Sequence, residues 1–149
     1  MVGGSNMGIK DILDNMIQVT ESVDSWEKAI EIAAKPLVET NKIKFGYIEN
    51  MIKNINELGP YIILIPGVAM PHARPDENVL ESSLSLLKIN KGVKFSKDTD
   101  EVYLIFCLAA KDSSSHIEII EQLTELLGDE EKIKKLIEVQ SKEELVKDL

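Results

Sequence analysis

Val102-Tyr103-Leu104-Ile105-Phe106-Cys107-Leu108-Ala109-Ala110 is the most apolar run in the chain. It is short for a helix, and it does not alternate between apolar and polar residues. A strand covered on both faces reads this way, so the run belongs at the centre of a sheet with helices on either side. Upstream, Ser83–Ile89 is a second strand, with Lys91-Gly92 expected to turn the chain into Val93–Phe95. Tyr61–Ile65, Val68–Met70 and Met16–Val19 are further extended pieces, and Ile9–Leu13 is a short helix. Asp24 and Glu27 have capping-box spacing. Trp26, Ile30, Ala33 and Leu37 then mark one buried helix face, with Pro36 expected to kink or shorten the helix. Residues 44–57 form another helix, with Ile48, Met51, Ile52 and Ile55 inward, stopped at Gly59-Pro60. Downstream, capping boxes at Ser115/Glu118 and Ser141/Glu144 and a cap at Asp129 start three helices. The expected fold is α/β, an α+β sandwich whose mixed, mostly buried sheet of about five strands is flanked by helices on both faces.

The chain has 149 residues, 44% hydrophobic and 29% charged, which suits one globular domain with a sizeable core. Residues 1–6 read as a tag or disordered tail, and residues 7–149 as a single domain. A net charge of −9 disfavours nucleic acid and anionic lipid as partners. No apolar run reaches the length of a membrane span, so direct membrane insertion is not expected. The single cysteine, Cys107, excludes an internal disulfide and fits a reducing cytoplasm. Its apolar surroundings mark it as a buried, inert thiol.

Chemistry concentrates in Gly67-Val68-Ala69-Met70-Pro71-His72-Ala73-Arg74-Pro75, which holds one of only two histidines. The two prolines restrict their own φ and push Met70 and Arg74 toward extended conformations, giving His72 a stiff mount. An imidazole with an ordinary pKa near ~6.5 is a good nucleophile at neutral pH. Side chains two apart in an extended segment share a face, so Arg74 can accompany His72, and a guanidinium grips phosphate or carboxylate in a fork. Alternatively Arg74 is a surface residue paired with Asp76 or Glu77. The second histidine, His116, follows Ser113-Ser114-Ser115 at a helix start. The free N–H groups of that turn and the three hydroxyls would suit an anion. Spacing does not say whether His72 and His116 meet. Walker A, Gly-x-Gly-x-x-Gly, His-Glu-x-x-His, Cys-x-x-Cys and Gly-x-Ser-x-Gly motifs are absent.

Gly67–His72 resembles the phosphorylation-site motif of the mannitol/fructose-type IIA (EIIA type-2) proteins of the bacterial phosphotransferase system. The longer string Gly59-Pro60-Tyr61 through Ala73-Arg74-Pro75 is most similar to the ascorbate branch. Trp26, the apolar strand at 102–110 and the serine-histidine helix start occur in the family's order, so the resemblance spans about residues 8–149. It implies a mannitol-type EIIA-like fold and a phosphohistidine relay. His72 would accept a phosphoryl group from the phosphocarrier protein HPr and pass it to a cysteine of a IIB component, as a step in sugar uptake. His116 matches the family's second histidine, which supports the phosphate. Arg74 as a phosphate clamp is an inference from its place. The family needs no cofactor or metal and does not itself bind the sugar. An arginine common in the family's second helix region has no counterpart here, where only Lys44 and Lys53 occur. An apolar rim for docking would come from Val68, Ala69, Met70 and Val79. Two other readings stay open: a regulatory domain that signals by its phosphorylation state, and, remotely, a metal- or small-molecule-binding module using both histidines. A homodimer also stays open.

Overall fold

The computed structural model describes residues 8–149; the tail assigned to residues 1–6 lies outside the described residues. Six helices and five strands follow in the order α1 (Ile9–Leu13), β1 (Ile17–Thr20), α2 (Trp26–Glu39), α3 (Phe45–Leu58), β2 (Ile63–Ile65), β3 (Val68–Ala69), β4 (Ser83–Val93), β5 (Val102–Ala109), α4 (Ile117–Leu127), α5 (Glu130–Glu138) and α6 (Lys142–Asp148). The strands form one mixed sheet ordered β1-β4-β5-β3-β2, with β5 at its centre. The pairs β1–β4 and β3–β5 are parallel, and β4–β5 and β2–β3 antiparallel.

The central strand explains the layers. Ile105, Cys107 and Ala109 join one core with Ala29, Ile30, Ala33 and Leu37 of α2 and Ile48, Met51 and Ile55 of α3. Leu104, Phe106 and Leu108 face a second core built with α1, α4, α5 and α6. Every residue of β5 except Tyr103 is buried, which is why the strand shows no polar alternation. Cys107 is buried, as its sequence setting implies, and burial pushes its thiol up to about 12.

The local differences from expectation have physical reasons. Ser25, not Asp24, caps α2: its backbone is extended and its hydroxyl accepts from Lys28 N at 3.1 Å. Pro36 does not end α2, which continues to Glu39. A proline at 36 cannot donate to the carbonyl of Ile32. Gln18 of β1 supplies the missing donor, its Nε2 lying 2.6 Å from Ile32 O. Tyr61–Ile65 yields only the short edge strand β2, with Leu64 41% exposed. Lys91-Gly92 does not turn the chain back. Gly92, at φ 72°, sits inside β4 where the β4–β5 register shifts. The Asp129 and Ser141 caps form as expected, accepting from Lys132 N and Glu144 N. α4 starts at Ile117, with His116 rather than Ser115 at its N-cap.

The Gln18–Ile32 bond gives a stability test. Gln18→Leu orphans a helix carbonyl and should cost roughly 1–2 kcal/mol. Pro36→Ala restores a helical N–H, so the double variant should recover most of that loss in urea unfolding. Equal losses in the single and double variants would refute the pairing.

Candidate functional site

Parallel pairing of β3 with β5 sets Val68 beside Leu104 and Ala69 beside Ile105. The chain therefore leaves both strands at the same edge of the sheet, where ligand clefts of open sheets form. Residues 70–75 leave β3 and residues 110–116 leave β5. They enclose, with α3 as the third wall, a cleft of about 440 Å³.

His72, Arg74, Ser113 and His116 all line this cleft, so residues 72 and 116 are brought together. Arg74 is exposed and makes no ion pair with Asp76 or Glu77; Asp76 instead accepts from Asn50 and Asn78. Ser114 and Ser115 do not line the cleft. Their backbone N–H groups donate to Asp112 Oδ1 at 2.9 and 2.6 Å, and the Ser114 hydroxyl donates to the same atom at 3.2 Å. The Ser115 hydroxyl bonds that of Ser82. An internal carboxylate thus occupies much of what reads in sequence as an open anion cradle.

The mount of His72 is stiff because its backbone is bonded at each step. Met70 N donates to Ile62 O at 2.8 Å, and Leu108 N to Pro71 O at 3.1 Å. Tyr61 OH donates to His72 O at 3.3 Å, and its ring meets the imidazole edge-on, centroids 5.5 Å apart. Ala73 N donates to Tyr47 OH at 3.0 Å, while that hydroxyl donates to Leu108 O at 2.8 Å. Tyr47 is fully buried, and burial raises its phenol pKa well above the ordinary value, keeping it a donor. The imidazole is held too: His72 Nδ1 lies 2.8 Å from Met70 O. A carbonyl can only accept, so Nδ1 carries the hydrogen and the lone pair is on Nε2.

His116 is half-buried, and its Nδ1 is buried without a partner. A buried orphan N–H is costlier than a buried orphan lone pair, which favours the hydrogen on Nε2. Asp112 is anchored in its ionised form. The backbone N–H of Ser115, then that of Ser114, with smaller help from the hydroxyls, draw its carboxyl down to about 2.

The cleft residues Tyr47, Asn54, Leu58, Tyr61 and Asp112 have no site role in the sequence reading. Asp112 ahead of a serine run carries an Asx-turn signal; Tyr47 shares the inward face of Ile48 and Met51. The expected rim is corrected. Val68, Ala69 and Val79 are buried in the cores, because sheet pairing and α3 cover them, and Met70 is half-buried. The exposed apolar lining is Leu58 and Tyr61. Among the described residues no group of three or more His, Cys, Asp or Glu is arranged to hold a metal ion, and no helix is long and apolar enough to cross a membrane.

A five-stranded mixed sheet with a two-histidine cleft at the ends of parallel strands defines an α/β domain of the mannitol-type IIA class. The family model described as "Phosphoenolpyruvate-dependent sugar phosphotransferase system, EIIA 2" matches residues 12–149, and the chain belongs to that family of phosphotransferase relay components. It is 37% identical over 132 residues to the mannitol-specific cryptic phosphotransferase enzyme IIA component of Escherichia coli K12, covering 89% of this chain and 90% of the relative. It is 30% identical over 144 residues to the ascorbate-specific PTS system EIIA component of the same strain, covering 94% of each. The solution structure of the mannitol-specific cryptic enzyme IIA from Escherichia coli superposes with a TM-score of 0.88 at 36% identity, over 95% of this chain and 97% of that one.

Two measurements check the geometry. Tyr47→Phe strips Ala73 N and Leu108 O of their partner and should lower stability by about 1–3 kcal/mol in thermal unfolding; an unchanged melting temperature would contradict the staple. The Asp112 carboxyl should titrate near 2 by carbon NMR. Because its folded value lies below the unfolded one of about 3.9, its stabilising contribution is complete above that value. It fades only as pH falls toward 2. A midpoint near 4 would show the anchor to be absent.

Proposed function

We propose that His72 is the phosphoryl acceptor of this relay, taking the group on Nε2 from HPr and passing it to a cysteine of a IIB component. The observation that carries the reading is the His72 Nδ1 bond to Met70 O, which leaves the Nε2 lone pair free in a cleft shared with His116 and Arg74. In the first step Nε2 attacks phosphorus as the donor's N–P bond breaks. The ring, still protonated at Nδ1, gains positive charge, and the bond to Met70 O strengthens. In the second step a thiolate takes the phosphoryl group and the Nε2–P bond breaks. Such transfers ask for positioning and charge stabilisation. Arg74 supplies a guanidinium for the equatorial oxygens, His116 an Nε2–H, and Ser113 a hydroxyl.

Leu58 and Tyr61 give partners an apolar contact beside the histidine. The named relatives divide between mannitol and ascorbate. The Ala73-Arg74-Pro75 continuation of the motif favours an ascorbate-type or related sugar system, with the relay working in the cytoplasm.

Incubation with enzyme I, HPr and labelled phosphoenolpyruvate should leave an acid-labile, alkali-stable phosphate on the protein and none on His72→Ala. Labelling that survives this substitution would overturn the assignment. His116→Ala should fold and still charge, but with charging and onward transfer each slowed by on the order of 100-fold, the usual cost of one lost oxyanion donor.

A further inference from the structure

The His116 ring has no hydrogen bond of its own among the described residues: Nδ1 is orphaned, and the residue makes no side-chain cap bond to α4. Its place in the cleft therefore depends on the backbone that delivers it. That backbone is the turn 112–116, and Asp112 binds it at three atoms of the two residues just before His116. A second tie joins the Ser115 and Ser82 hydroxyls, and Ser82 Oγ accepts from Lys111 N at 2.8 Å. Asp112 is exposed and lines the same cleft. A free carboxylate there would repel a phosphoryl dianion. Committing Oδ1 to three donors aims the charge into the turn instead.

We propose that Asp112 is a positioning residue for His116, and that it works as a hydrogen-bond acceptor through Oδ1 rather than through its charge. This rests on the reading of His116 as a support for phosphate on His72. Asparagine is about as good an acceptor for such turn N–H groups as aspartate, whereas alanine is none. The two substitutions therefore separate acceptor from charge. Misplacing a supporting group by about an ångström can slow a reaction by roughly 10- to 100-fold.

The test compares wild type, Asp112→Ala and Asp112→Asn in two readouts. One is the imidazole nitrogen–proton correlation pattern, which is simple in a chain with two histidines and is assigned with His72→Ala. The other is the rate of charging by potassium phosphoramidate, a donor that needs no protein partner. Nε2 of His72 attacks its phosphorus, the P–N bond breaks, and ammonia leaves. Asp112→Ala should shift or broaden the His116 signals, leave those of His72 in place, and slow charging by about 10- to 100-fold. Asp112→Asn should match wild type in both.

Unmoved His116 signals in Asp112→Ala would overturn the proposal. So would an Asp112→Asn variant as impaired as Asp112→Ala, since charge would then be the working property. A wild type that does not charge on His72 counts against the phosphoryl-acceptor reading instead. The His116 signals then still decide whether Asp112 positions that ring.

Discussion

Two residue pairings in register, Val68 with Leu104 and Ala69 with Ile105, carry more consequence than their length suggests. They make β3 parallel to β5, so the loops after the two strands emerge side by side although 72 and 116 are far apart in sequence. An antiparallel pairing would have sent them to opposite edges of the sheet. β5 is fixed in turn by burial on both faces, α2 and α3 packing on one side and α1, α4, α5 and α6 on the other. This chain thus has its two-histidine cleft where strand direction makes room for it.

Much of this architecture is legible in the residues. The run 102–110 has no polar alternation because both of its faces are covered, and that one fact implies a central strand and three layers. The Asp129 and Ser141 caps are local, so their signals survive into the fold unchanged. The early helix end that Pro36 suggests does not come because its cost is met from another element: the Gln18 side chain approaches Ile32 O only after β1 and α2 have packed. Tyr61–Ile65 reads as a longer strand than it is because an edge position leaves Leu64 partly in water despite its apolarity.

The site divides in the same way. His72 and Arg74 stand out because prolines stiffen their segment, and that is written in the chain. The serines do not behave as a row of free donors. Asp112 folds back on Ser114 and Ser115, and Ser82, remote in sequence, takes the Ser115 hydroxyl. Tyr47 escapes notice because its aromatic ring looks like ordinary core. Its hydroxyl nevertheless joins the residue after His72 to the end of β5.

Met70 unites two bonds already described: its N–H reaches Ile62 O, and its carbonyl receives His72 Nδ1–H. The imidazole is thereby coupled to the edge of the sheet through the backbone of one residue. In thermodynamic terms, rotation of the ring about χ1 and χ2 is surrendered when the chain folds, not when a partner arrives. Ordering a side chain at an interface ordinarily costs about 0.5–1.5 kcal/mol. Here that entropy is already absent from the barrier to each encounter, whichever direction the exchange runs.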